Sequence, residues 1–196
     1  MSRTPNSRKE ETHERIVDVA ARAIRRHGYA GVGVAEVMKE AGLTHGGFYA
    51  HFDSREAMLA EAADRAGAHS VATLERVVAQ AAPKQAFRAL VEAYLSRAHV
   101  DRAEFGCPAA ALGSEMPRQS QTVREASSMR VQRLIAAVRA TLPEAPRAAA
   151  SVVAGTLVGS LQLARALGDN AEGRAVLSAA RKSLIQQYDR PGAAGH

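Results

Sequence analysis

Residues 42–52 read GLTHGGFYAHF, and this stretch decides the fold. It follows a short segment, residues 34–41, in which apolar side chains recur at helical spacing. Gly42 is placed to end that helix and reverse the chain, because glycine adopts the left-handed conformation at little steric cost. Thr44 is placed to cap a second helix over residues 45–52. Two short helices joined by a tight glycine turn predict a helix-turn-helix.

Breakers and capping residues divide the rest of the chain into further helices, and no segment alternates convincingly like a strand. Outward from the turn, about nine helices are expected in all. They cover residues 8–27, 34–41, 45–52, 55–82, 84–100, 106–117, 119–141, 147–167 and 171–188. We therefore predict an all-α fold, with a helix-turn-helix domain at residues 1–53 and a larger helical domain at 54–190. A mobile arm at 1–7 and a disordered tail at 191–196 complete the chain.

The composition is that of an ordinary soluble protein, with 46% hydrophobic and 23% charged residues in a chain of 196. Aromatic residues make up only 4%, which favours helices packed through small residues over a β-sandwich. The single cysteine, Cys107, excludes an internal disulfide and a cysteine-based zinc cluster. The first residues lack the apolar core of a signal peptide, and the uncharged segment 148–164 is too short to span a membrane. We expect a cytoplasmic protein whose net charge of +6 hints at a polyanionic partner.

Residues 12–59 strongly resemble the N-terminal domain of the TetR/AcrR family of repressors. The dense run at 42–52 carries the resemblance, supported by Gly28 and Tyr29 upstream and by the Ser-Arg-Glu at 54–56 downstream. The resemblance implies that the first three helices bind double-stranded operator DNA. It also implies that the remaining helices form a homodimer and hold a small-molecule effector.

Seven positions are carried over from the family as DNA contacts. They are Thr44, His45, Gly46, Gly47, Tyr49, His51 and Arg55. The resemblance implies that Tyr49, His51 and Arg55 contact phosphates and that Gly46 lets the backbone approach the groove. Residues 45–52 contain no Lys or Arg, so the common arginine–guanine pair is not available from this helix. Gly33 stands where the family usually has a Ser or Thr that contacts a phosphate.

Cys107 is the candidate effector or redox-sensing residue. It precedes Pro108, which suits the first helical position, so the cysteine is expected at the N-cap. A thiolate there would accept backbone N–H bonds and interact with the positive end of the helix. The surrounding segment resembles one branch of the family, some of whose members sense electrophiles or oxidants through a cysteine. The alternative is that Cys107 is a small buried apolar residue.

The last two helices are the candidate dimer interface. Small residues on the first of them allow close helix approach, and apolar residues on the second form a stripe. The candidates are Val152, Gly155, Thr156, Gly159, Leu177 and Leu184. The alternative is that the glycines pack inside the protomer.

These observations predict a homodimeric, ligand-responsive DNA-binding regulator of the repressor type. A DNA-binding activator and a helical interaction module that does not bind DNA are the alternatives. An enzyme is not expected, since Cys107 has only His99 nearby in sequence and no third orienting group. The dispersed histidines predict no metal site, and no cofactor is expected.

Overall fold

The computed structural model describes residues 5–142 and 147–189, where nine α-helices and no strand are found. The helices are α1 (Pro5–His27), α2 (Val34–Glu40), α3 (Arg55–Gln80), α4 (Ala86–Tyr94), α5 (Arg97–Asp101), α6 (Pro108–Leu112), α7 (Gln121–Ala140), α8 (Arg147–Leu167) and α9 (Ala171–Tyr188). The all-α prediction is confirmed. The predicted arm at 1–7 is too long, since α1 already begins at Pro5. Residues 1–4, the breaks at Pro143 and Pro146 and the tail at 191–196 lie outside the described residues.

Local signals placed most helix ends correctly. Gly28 follows α1 with φ +76° and Gly42 follows α2 with φ +72°, so both glycines end their helices in the left-handed conformation. Ser54 caps α3 by accepting a hydrogen bond from the amide of Ala57 at 3.1 Å. The turn of the helix-turn-helix therefore lies where its sequence indicates.

Three predicted helices differ from the structure. The predicted helix at 84–100 is broken, because Ser96 caps the new helix α5 by accepting from the amide of His99 at 3.2 Å. The helix expected at 106–117 ends at Leu112. The second helix of the helix-turn-helix is a single 3-10 segment, His45–Ala50, which we call the recognition segment.

Two groups of buried apolar side chains hold the fold together. The first joins α1, α2, the recognition segment and the first half of α3, and it also includes Leu112, Met116 and Val123 from farther along the chain. The second joins α4 to α7, α8 and α9 and includes Cys107. The first group crosses the predicted domain boundary at residue 53, so the DNA-binding end is not packed in isolation from the rest.

Helix α8 is unusual in its composition. Within the described residues, Ala148–Leu167 is the one helical segment long and apolar enough to cross a membrane, with a mean hydropathy of 1.3. Only 33% of it is buried within the protomer. A core helix of a folded protein gives the same signal, and Val153, Leu157 and Leu161 do pack into the second apolar group.

Candidate DNA-binding surface and effector domain

The recognition segment is anchored by two aromatic rings. Phe48 and Phe52 are buried, and their ring centroids lie 5.4 Å apart. The amides of His51 and Phe52 both donate to the carbonyl of Phe48, which closes the end of the segment. Helix α2 leads into it through a tight turn in which the amide of Leu43 donates to Met38 O at 2.8 Å. Both phenylalanines therefore belong to the core.

The opposite side of the segment faces outward. Tyr49 is 72% exposed, and Thr44, His45 and Gly46 are exposed beside it. Thr44 occupies the N-cap position as predicted, but its side chain makes no capping hydrogen bond. The hydroxyls of Thr44 and Tyr49 are thus displayed on one continuous surface.

Neither glycine of the recognition segment is required by the protomer. A Cβ added to Gly46 would meet no atom within 4 Å, and one added to Gly47 would only reach ordinary contact with Met38 at 3.7 Å. Both have ordinary backbone conformations, since the described positive-φ glycines are found elsewhere. Each of the two adjacent glycines weakens an α-helix by about 1 kcal/mol relative to alanine, which agrees with the 3-10 form of the segment. No contact within the protomer explains why glycine stands at these two positions.

The remaining two predicted phosphate contacts are partly occupied by internal contacts. Arg55 donates from Nε and Nη2 to the carbonyl of Val32 and from Nη2 to Tyr29 O at 2.5 Å. It therefore braces the loop between α1 and α2, and only Nη1 remains, 3.7 Å from the Glu56 carboxylate.

His51 is half-buried, and its Nδ1 has no hydrogen-bond partner among the described residues. Its ring lies 6.0 Å from that of His13. Burial lowers the pKa of His51, and the neighbouring His13 and Lys9 lower it further. The side chain is therefore neutral near pH 7 and offers a polar group rather than a charge.

Cys107 is buried at the N-cap of α6, where its side chain makes no capping bond. The expected side-chain cap is therefore absent in this structure. The backbone amide of Cys107 donates to His99 Nε2 at 2.9 Å. His99 Nδ1 lies 2.7 Å from Tyr94 O, a geometry in which the neutral ring donates to the carbonyl. Burial lowers the pKa of His99 to about 4, and Arg165 acts in the same direction.

Charged and polar groups from distant helices surround the thiol. Arg25 on α1 and Arg165 on α8 both interact electrostatically with Cys107, and the Tyr94 hydroxyl lies beside it. Burial, and then Cys107, raise the pKa of Tyr94 well above its ordinary value. Two guanidiniums thus act on a thiol that is itself only 2% exposed. Arg102, five residues before Cys107, lies over the ring of Phe105 at 4.8 Å.

Helix α1 is connected directly to this region. Arg25 is buried and donates from Nε to Ala21 O at 2.9 Å and from Nη1 to Gly106 O at 3.1 Å. The amide of Tyr29 donates to the Glu115 carboxylate at 2.9 Å, and its hydroxyl lies 3.1 Å from Ser127 Oγ on α7. Arg25 follows the buried Ala21 by four residues, and this helical spacing places it on the inward face of α1.

The candidate dimer residues separate into two sets. Val152 is 59% exposed, Gly155 is exposed, and Thr156 and Gly159 are half-exposed on the outer face of α8. A Cβ on either glycine would meet nothing within 4 Å, so packing inside the protomer does not explain them.

Leu177 and Leu184 are buried inside the protomer, 6% and 3% exposed. The prediction that they form an exposed stripe is wrong, because α9 uses these residues to pack on α8 and α4. The surface left outward on α9 consists mainly of small and polar residues.

No group of three metal-ligating side chains is found in the part of the chain that the structure describes. The fold and the outward recognition segment define the class of helix-turn-helix DNA-binding proteins. The family model for bacterial regulatory proteins, tetR family, matches residues 16–62. Residues 16–62 are therefore similar to the DNA-binding domain of the TetR family, which confirms the resemblance seen in the sequence.

Three relatives illustrate the similarity. The uncharacterized HTH-type transcriptional regulator YerO of Bacillus subtilis is 37% identical over 54 residues, which cover 28% of this chain and only 19% of YerO. The reduced form of E. coli NemR superposes with a TM-score of 0.78 at 19% identity, covering 90% of this chain and 96% of NemR. A TetR transcriptional regulator from Chloroflexus aurantiacus superposes with a TM-score of 0.75 at 23% identity, covering 93% of this chain and 98% of the regulator. At these identities the two structures establish the shared fold.

Proposed function

We propose that the protein is a homodimeric, ligand-responsive transcriptional repressor that binds double-stranded operator DNA in the cytoplasm. One observation carries the proposal: the recognition segment displays Tyr49 beside glycines that the protomer does not require. Glycine is favoured where another molecule's backbone must approach closely. We assign the protein no catalytic role, and an activator would use the same surface at a differently placed operator.

In this proposal Thr44, His45 and Tyr49 contact the DNA directly, and Gly46 and Gly47 allow the segment to lie close in the major groove. Binding relies on phosphate contacts and DNA shape, because the segment has no Arg or Lys to read guanine. His51 contributes a neutral donor at the edge of the surface. Arg55 is left with Nη1 alone for a phosphate, since its other nitrogens hold the loop before α2.

The dimer forms through the outer face of α8. Two copies of this face would bury Val152, Thr156 and the exposed Leu163, while Gly155 and Gly159 let the helices approach closely. Such a dimer presents its two recognition segments to half-sites about one helical turn, 34–36 Å, apart. A small rotation of one protomer then changes the distance between the two recognition segments. A coupling free energy of about 1–3 kcal/mol between effector binding and DNA binding is enough for regulation.

Cys107 is a candidate trigger for this rotation. Arg25 of the DNA-binding end and Arg165 of α8 both interact electrostatically with Cys107, and Arg25 also donates to the carbonyl of the preceding Gly106, so a bulky adduct on sulfur would displace a contact to α1. His99 and Gly106, which adjoin Cys107, line a cavity of about 380 Å³ whose lining does not include Cys107 itself. An electrophile entering there would form a thioether and release the repressor.

The test is fluorescence anisotropy of the protein on DNA from its own upstream region, before and after stoichiometric N-ethylmaleimide. Cys107 is the only cysteine, so the reagent reports on one thiol, and Cys107→Ser is the matched control. Release of the wild-type protein with retention of the variant supports the trigger. If N-ethylmaleimide leaves DNA binding unchanged, Cys107 is not the trigger and the repressor proposal stands. If no saturable binding is found, operator recognition at that promoter is contradicted.

A further inference from the structure

A groove runs along the protein between α3 and α7, and its lining includes neither the recognition segment nor Cys107. Its volume is about 540 Å³, within the range of small-molecule sites. Six alanines line its sides, and Leu74 and Leu90, which are 5% and 0% exposed, lie beneath them. The groove exists because alanines on both helices leave the space that larger side chains would fill.

One strongly buried cation lines this groove. Arg130 is only 8% exposed, and its Nε donates to the Asp64 carboxylate at 2.8 Å while Nη2 contacts the same oxygen. Nη1 is buried and has no hydrogen-bond partner among the described residues. A buried donor left unsatisfied typically costs about 1–3 kcal/mol, so an acceptor is expected for it.

The position of Arg130 is imposed by the packing of α3. A side chain on Gly67 would overlap the Cβ, Cγ and Cδ of Arg130, so glycine is required for the arginine stem to lie across α3. Arg133, one turn farther along α7, also lines the groove and forms no ion pair within the described part of the chain. Glu75 is the single acidic residue of the lining, and Asp64 outside the lining is already paired with Arg130, so Arg133 is the lining guanidinium without an ion pair among the described residues.

We infer that this groove binds an amphipathic carboxylic acid, with its aliphatic chain over the alanines and leucines and its carboxylate on Arg130 and Arg133. The inference rests on the proposed function, because it names the chemical class of the effector. A carboxylate supplies the acceptor that Nη1 lacks and matches guanidinium geometry. Since α3 begins at the DNA-binding end and forms one wall of the groove, a ligand that separates α3 from α7 changes the position of that end.

The test is isothermal titration calorimetry of the full-length protein with decanoate, using decanamide as the neutral match of equal chain length. A charge-assisted hydrogen bond is worth about 1.5–3 kcal/mol, so decanoate is expected to bind about tenfold or more tightly than decanamide. Equal affinity of the two probes, or no heat of binding from decanoate, overturns the inference.

Matched variants assign the binding to the groove. Ala136→Phe fills it from an exposed position and should abolish decanoate binding, while Gln132→Phe, exposed on the same helix outside the lining, should not. Arg133→Gln should weaken the affinity for decanoate severalfold and leave the affinity for decanamide unchanged. Arg124→Gln, also on α7, is the control. Decanoate binding that Ala136→Phe leaves intact places the ligand elsewhere and contradicts the inference.

The outcomes separate this inference from the proposed function. The calorimetry contains no DNA, so loss of operator binding would not change it. If the protein binds its operator but not decanoate, the proposed ligand class is wrong and the proposal of a regulator stands. If it binds decanoate but no operator, the ligand site stands and its role as an effector site is wrong.

Discussion

Arg25 on the last turn of α1 donates a hydrogen bond to the backbone carbonyl of Gly106, 3.1 Å away and 81 residues later in the chain. The arginine belongs to the first helix of the DNA-binding end, and Gly106 directly precedes the buried Cys107. Burial lowers the pKa of Arg25 to about 10, so it remains charged at neutral pH. A cation held inside the protein thus fastens the DNA-binding helices to the effector domain.

Replacing this cation should loosen the connection. Arg25→Met leaves the carbonyls of Ala21 and Gly106 without their donor, and the free energy of unfolding should fall by about 1–3 kcal/mol. Urea denaturation measures the change. Arg26→Met, at the exposed neighbouring position, is the control and should stay within about 0.5 kcal/mol of wild type. Equal stability of the two variants would show that the buried contacts contribute nothing.

Gly67 and Arg130 should behave as a coupled pair. In Gly67→Ala the new methyl group overlaps the arginine stem, so we expect a loss of about 1–3 kcal/mol in the free energy of unfolding. In an Arg130→Ala background the same substitution meets no stem and should cost much less. A double-mutant cycle by urea denaturation measures the difference, and strictly additive effects would contradict the contact.

The glycines of α8 should separate protomer stability from dimer stability. With open space around each Cβ, Gly155→Ala and Gly159→Ala should each favour the helix by up to about 1 kcal/mol within a protomer. The same methyl groups hold two α8 helices apart and should raise the dimer dissociation constant. Sedimentation equilibrium measures that constant, and thermal unfolding of the dilute protein measures the protomer. An unchanged dissociation constant would place the interface elsewhere.

Buried His99 should make stability depend on pH. Its pKa of about 4 in the folded protein lies below the value of about 6.5 expected in the unfolded chain. Between those values the unfolded state binds the proton more readily, so the free energy of unfolding falls as the pH falls, by at most about 3 kcal/mol in total.

His99→Gln removes this titration and keeps a donor and an acceptor at the site. Its unfolding free energy should fall less steeply than that of wild type between about pH 6.5 and about pH 4. The lowered pKa values of His51 and His69 act in both proteins and cancel in the comparison. Parallel curves from urea denaturation would mean that His99 is not the group responsible.

Tyr49 should matter for DNA and not for folding. Its side chain is 72% exposed, so Tyr49→Ala should leave thermal unfolding nearly unchanged. Operator affinity, measured by anisotropy, should fall about tenfold or more, as expected when a hydrogen bond and ring contact to DNA are lost. Phe105→Ala removes another ring, 51% exposed in the effector domain, and should bind as wild type does. Equal affinity of both variants would exclude Tyr49 from the interface.

Features that depend on neighbouring residues were predictable from the sequence. Gly28 and Gly42 were recognised as helix ends because few other residues tolerate a positive φ there. Ser54 could be assigned as a cap, since its side chain bonds an amide only three residues later. The break at Ser96 was missed because a serine inside an apolar stripe also fits a continuous helix, and only the packing of α4 and α5 selects the cap.

The sequence by itself therefore determined the helices, the glycine turn and the family of the DNA-binding domain, because helical periodicity and capping act within a few residues. Tertiary structure decided which side chains those helices hide. Arg25 and Arg130 are of a residue type that usually lies on the solvated surface. Both are nevertheless buried against partners more than 60 positions away in the chain. Leu177 and Leu184 were apolar enough for an interface, and only the packing of α9 on α8 and α4 turned them inward. Whether a charged residue or an apolar stripe is buried depends on the segment that packs against it. Local residue spacing does not specify contacts between segments that are distant in the chain.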